Sequence, residues 1–239
     1  MRTTTLLCLS AALLLCLSAC GSPAPPVATP APTAPPPPTS TPALAPTDIP
    51  DTFNPHMPDL PDLPATLAAY TESFAPYTYT GDTDATYGER HFALEDTPEN
   101  AAEGLIVERY AYEIAGAYDK YAALFDSPDM QLSAANLEKN NESGGMNEYI
   151  VHTVSTMTRD EVLQSDEYFI TGDSTDSVRN FVNTYAYEEF TLVKIDFSMT
   201  WSPAALARGP QLGDGDYTRI FLCGREPGAD WKIYEIYWV

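Results

Sequence analysis

The chain has 239 residues, with 12 Lys and Arg against 34 Asp and Glu and a formal charge of −22. Counterion release from a phosphate backbone needs clustered Lys and Arg, and no basic run occurs, so neither nucleic acid nor a polybasic contact with anionic lipid is expected. Of the four Cys, only Cys223 lies in the part expected to fold, so that part must hold together by its core without a disulfide.

In chain order, Arg2 supplies a short positive region and Leu6 to Leu17 an apolar stretch of about 12 residues. That is short of the ~20 residues a bilayer span needs, but it suits a signal peptide. The stretch ends in Leu17-Ser18-Ala19-Cys20, followed by Gly21. This resembles the bacterial lipobox: an aliphatic residue, two small residues, then the invariant Cys. The resemblance implies that residues 1–19 are a lipoprotein signal peptide and that Cys20 is lipidated as the first mature residue. The protein would then be anchored to the cell membrane on its extracytoplasmic face. Acyl chains contribute ~0.8 kcal/mol per buried methylene, and more than one chain anchors stably. The competing reading is an ordinary secretory signal cut after Ala19.

Between Gly21 and Pro64, 16 of 44 residues are Pro, and Phe53 is the only aromatic. Such a composition cannot bury enough apolar surface to offset ordering. Residues 20–64 therefore read as a lipidated Cys followed by a disordered, extended spacer, reaching roughly 100 Å at ~3.1 Å per residue. Residues 65–239 are enough for one domain with a sizeable core.

Within that domain, Leu67 to Leu94 is Tyr-rich and offers one or two edge strands or an outer wrap. Thr97 as cap, Pro98 at the first helical position and Glu99 then predict a helix start. Ile106, Tyr110, Ile114, Ala117, Tyr118, Tyr121 and Phe125 recur at helical spacing and predict an amphipathic helix of about 27 residues. Glu103, Arg109, Glu113, Asp119 and Lys120 are placed mostly on its solvated side. Asp126-Ser127-Pro128 stops it. Gln131 to Asn141 reads as a short helix, and Glu148 to Thr158 as a strand. Thr158 to Gln164 and Ser174 to Thr184 read as further short helices. Val193, Ile195, Phe197, Met199 and Trp201 alternate with polar residues, which predicts a strand with one buried face. Tyr217 to Gly224 and Trp231 to Val239 complete an antiparallel meander.

A long helix, short helices and then a closing sheet resemble the nuclear transport factor 2-like, or cystatin-like, α+β roll. Asp214 to Leu222 and Asp230 to Trp238, a Gly turn and two aromatic-rich strands, resemble small lipoproteins of that superfamily. The resemblance covers about Thr97 to Val239, and Asn141 to Tyr185 departs from it. It implies a long N-terminal helix packed on a curved antiparallel sheet, with a ligand cavity between them. That cavity would be lined by Tyr110, Tyr118, Tyr121, Phe197, Trp201 and the last strand. Enzymes on this fold use an acid–base pair in the cavity. Glu235 with His152 is the pair to weigh, against placement of both on solvated faces, which is favoured. Asp196 is expected on the polar face.

His56, His91 and His152 lack zinc-site spacing, and neither Asp82-Thr83-Asp84 nor Asp214-Gly215-Asp216 matches a calcium loop, so no metal or cofactor is expected. Cys223, among Ile220, Phe221 and Leu222, reads as a small buried hydrophobe. The leading expectation is a lipoprotein that binds a small ligand, an envelope protein or a cell-wall component without catalysis. The alternatives are a cavity hydrolase, isomerase or dehydratase, or an accessory subunit of an envelope complex.

Overall fold

A computed structural model describes residues 61–141, 144–167, 170, 177–185, 187–210 and 212–239. The expected signal peptide, Cys20 and nearly all of the Pro-rich segment lie outside these residues. Chain order runs α1 (Leu63–Thr66), β1 (Asp84–Tyr87), β2 (Arg90–Leu94), α2 (Ala101–Ala115), α3 (Tyr118–Ala123), α4 (Pro128–Asn141) and β3 (Met146–Thr156). It continues with α5 (Arg159–Gln164), α6 (Val178–Tyr185), β4 (Glu189–Trp201), α7 (Pro203–Leu206), β5 (Gly215–Arg225) and β6 (Lys232–Trp238).

The six strands form one mixed sheet in the order β1 to β6. The β4–β5–β6 meander is antiparallel, as the short and medium connections between these strands predicted. The sheet is not wholly antiparallel, however. Strand β2 runs parallel to β3, with His91 opposite Glu148, because α2 to α4 carry the chain back across one face.

The expected 27-residue helix is two helices. Asn100, not Thr97, caps α2: its side chain accepts from Glu103 N. Gly116 ends α2 in a left-handed conformation at φ 70°, which a residue with a Cβ adopts at a cost. Tyr118 then restarts the chain as α3. Pro128 opens α4 rather than closing a helix, as expected of Pro at a first turn. Thr158 forms the capping box of α5 with Glu161, in agreement with the sequence.

Each face of the sheet has its own core. Under α2 lie Phe92, Tyr149, Val151, Val193, Ile195, Phe197, Phe221 and Ile233. On the other face Leu67, Tyr70, Val162, Val178, Phe190, Leu192, Ile220, Leu222 and Tyr234 pack beneath α5, α6 and the N-terminal segment. The rest of that second face is open. It presents His91, His152, Asp196, Ser198, Asp216 and Thr218 from β2 to β5. Cys223 is free and buried, the small hydrophobe expected.

Candidate functional site

Eleven of the fifteen α2 residues are buried, so the helix has no wide solvated face. The segment before β1 covers its outer side: Phe74 and Tyr79 pack on the core, and a Cβ at Gly104 would lie only 2.0 Å from the Tyr77 hydroxyl. Glu103, Arg109 and Glu113 are interior too, turned toward β3 and α3, at 4%, 6% and 4% exposure, contrary to the solvated placement expected.

Glu103 works at the helix N-terminus. Its carboxylate accepts from Glu99 N, Asn100 Nδ2, Thr156 N and Thr156 Oγ1, at 2.7 to 2.8 Å. Four donors account for a buried charge and tie α2 to the end of β3.

Arg109 and Glu113 are one turn apart and face the sheet. Arg109 Nη1 lies 3.2 Å from Glu113 Oε2, and the Tyr149 hydroxyl donates to the same oxygen at 3.1 Å. The Arg109 guanidinium sits over the Tyr110 ring at 4.4 Å and near Tyr121 at 5.3 Å. Tyr110 meets Tyr149 edge-on at 4.8 Å and Phe197 at 4.9 Å. A second guanidinium, Arg219 of β5, closes the cluster over Phe197 at 5.4 Å and over Trp238 at 3.5 Å.

Two buried arginines thus share one carboxylate, since Glu103 is committed elsewhere. Arg109 Nε and Nη1, Arg219 Nε and the Tyr110 hydroxyl make no hydrogen bond, the Nη1 contact with Glu113 being an ion pair only. Burial opposes both charges. At Arg109 the neighbouring Tyr121, Glu113 and Tyr149 outweigh burial and hold the pKa above its ordinary value. At Arg219 burial wins and lowers the pKa. An arginine still keeps its proton near neutrality. Burial raises the pKa of Tyr110, Tyr121 and Tyr149, so these hydroxyls stay protonated as donors.

The open face of the sheet carries a second constellation. Nδ1 of His152 lies 2.7 Å from Glu95 Oε2, and its Nε2 lies 2.6 Å from Ser198 Oγ. These contacts have the spacing of a hydrolase's orienter, base and nucleophile. The resemblance ends there. Ser198 donates to Asp216 at 2.5 Å, so its proton points away from the imidazole. Ser198 also lies mid-strand, paired with Ile150 and Asp216, so the neighbouring amides serve the sheet and none is free to hold an oxyanion. His152 reaches this row because it is the extra residue of a bulge between Val151 and Thr153, and a bulge re-aims a side chain.

Nearby, Asp196 accepts from Thr153 and Thr218. Burial pushes its pKa up, but those hydrogen bonds together with Lys194 and His152 hold it below the ordinary range. His91, between Glu148 at 2.9 Å and Asp84 at 3.1 Å, is raised by its bonds to Glu148 and then Asp84.

Of the residues expected to line a cavity, Tyr110, Tyr121 and Phe197 come together in the Arg cluster. Trp201, at the end of β4, packs on the same core with its indole Nε1 unpartnered. Tyr118 instead lines an open groove with Arg90 and Glu138. His152 and Glu235 do not meet: they sit on β3 and β6, three strand spacings of ~4.8 Å apart. Glu235 lies opposite Leu222 on β5. Arg109, Glu113, Tyr149 and Arg219 escaped the sequence reading. The available signal was the Arg109–Glu113 pair, set one turn apart beside the apolar stripe.

Two surface grooves flank the N-terminal half of α2. One, of about 440 Å³, is lined by Phe74, Tyr77, Glu108, Arg225 and Trp231. The other, of about 520 Å³, lies between Glu72, Asp96, Asn100 and Thr158. Among the described residues, no group of three or more His, Cys, Asp or Glu could hold a metal ion, and no helix is long and apolar enough to cross a membrane. No family model, curated protein or solved structure matches the chain.

Proposed function

We propose that this chain is a bacterial lipoprotein, held by lipid on Cys20 at the extracytoplasmic face of the membrane. Its domain is read as a cystatin-like roll of the nuclear transport factor 2-like kind that binds a ligand without chemistry. One observation carries the binding reading: the space between α2 and the sheet holds the fixed charges of Arg109 and Arg219 rather than a proton-transfer pair. Arginine is no base near neutrality, and the Glu113 carboxylate is engaged by Arg109 and Tyr149. Such an interior recognises; it does not shuttle protons.

Growth of a bacterial expression host with an alkyne fatty acid tests the anchor. Wild type is expected to take the label and Cys20→Ser to lose it. An unlabelled wild type rejects the lipoprotein reading. A thermal-shift panel of sugars, muropeptides, polyamines, steroids and small anions on the full chain tests binding. A flat panel together with no crosslinked envelope partner on whole cells rejects it.

A further inference from the structure

We propose that Arg109 and Arg219 form an internal receptor for one small oxyanion, a carboxylate or phosphate group, bound at the edge of the Arg219 guanidinium on which Trp238 stacks. The proposal rests on the binding reading above and names its ligand class.

The argument begins with charge. Among the described residues, the buried charged groups are Glu103, Arg109, Glu113 and Arg219. Glu103 is satisfied at the far end of α2, which leaves two guanidinia against Glu113 alone. Carboxyls and lysines escape such an excess by changing protonation, but an arginine cannot. The interior therefore carries one uncompensated positive charge.

The unmade hydrogen bonds point the same way. Arg109 Nε, Arg219 Nε and the Tyr110 hydroxyl are buried donors without acceptors, in residues 6%, 9% and 0% exposed. Proteins rarely leave such donors unpaired. What they lack is acceptors, and an oxyanion brings acceptors and the missing negative charge together.

Ring geometry explains why the Arg219 donor is left unmade. Trp238 lies 3.5 Å from the Arg219 guanidinium, over its face. A stacked ring occupies the π surface and takes none of the N–H groups, which project from the edge. The stack fixes the fork's plane and leaves its edge for a ligand that accepts two parallel N–H bonds. Position supplies the access. Arg219 pairs with Trp238 across β5 and β6, where the sheet ends, and Trp238 is 49% exposed. Arg109 lies deeper, against Glu113. Chloride has no two-point geometry to match the fork, whereas carboxylate and phosphate do.

The experiment uses the full chain purified in detergent, titrated with sodium acetate, sodium phosphate or sodium chloride at matched ionic strength. Melting temperature is read throughout. Acetate or phosphate is expected to raise it saturably, by about 5 °C or more at a hundredfold excess over Kd, while chloride does not. The preferred oxyanion tells carboxylate from phosphate. Arg219→Met is expected to abolish the shift and, without anion, to melt no lower than wild type, because it removes the excess charge. In the wild type, the Arg Nε–H resonances should move on titration, which keeps the test intact if the variant does not fold. Equal shifts for all three salts overturn the proposal. So do no shift at all, a retained shift in Arg219→Met, or an anion-free variant that melts clearly lower. If a sugar or polyamine stabilises the chain and no oxyanion does, this proposal fails and the binding reading stands.

Discussion

Phe197 and Ser198 are neighbours on β4, yet they touch two unlike polar clusters. Phe197 faces inward, onto Tyr110 and Arg219. Ser198 faces outward, into the row of His152 and Asp216. The outward row has short hydrogen bonds, satisfied members and access to solvent. The inward cluster is buried and has donors without acceptors. A complete network at the surface has nothing left to do, whereas an incomplete one in the interior has an unmet requirement. The lesson is to read function from the polar group that lacks a partner, even when another cluster has the spacing of a catalytic triad.

The largest way to break that comparison is Glu113→Ala. Removing the carboxylate beneath Arg109 leaves that guanidinium unpaired and two buried positive charges without a counter-charge. The expected loss is ~3–5 kcal/mol in urea denaturation, the cost of orphaning a buried charge. A loss under about 1 kcal/mol would mean the interior is wet and the contrast false. Next in size is pH. The folded pKa of His91 is raised by Glu148 and Asp84. Its contribution is therefore complete below the unfolded value of ~6.5 and is lost as pH rises through the folded pKa. His91→Gln should flatten that part of a stability profile that starts below the unfolded value of ~6.5 and runs to alkaline pH, and an unchanged profile refutes the assignment. The smallest effect is expected from Ser198→Ala, within about 0.5–1 kcal/mol, since the row it breaks is part-exposed. A larger loss would give the outward row the structural weight assigned here to the inward one.

Much of the fold was legible in the sequence because period and caps are local. Val193 to Met199 alternate as they must with one face buried, and Thr158 with Glu161 writes its own helix start. The misreadings came from partners far away in the chain. Arg109 and Glu113 looked solvated because what buries them, Tyr149 on β3 and Tyr121 beyond the break at Gly116, is not announced by the helix's own pattern. The break at Gly116 was concealed by apolar spacing that continues through Tyr118 and Tyr121. The bulge at His152 shifts the β3 alternation by one residue, so that Val151 and Val154 share the inner face. No pattern of residue types marks the parallel pairing of β2 with β3. For the candidate site, the aromatic half was foreseen and the charged half was not, because a charged residue on a helix is ordinarily at the surface.

The parallel junction also sets an order of assembly. His91 meets Glu148 across 57 residues of chain, whereas β4, β5 and β6 follow one another through the connection that holds α7 and then a turn. Closing a long loop costs entropy before any contact rewards it. The meander is thus the natural nucleus of folding, and the β1–β2 hairpin is the last piece to dock. Strand β1 is only four residues long, with Asp84 at its start, so the piece that closes the sheet also presents a short, charged edge to other chains. A short, charged strand at the rim leaves another chain little backbone with which to pair once the hairpin has docked.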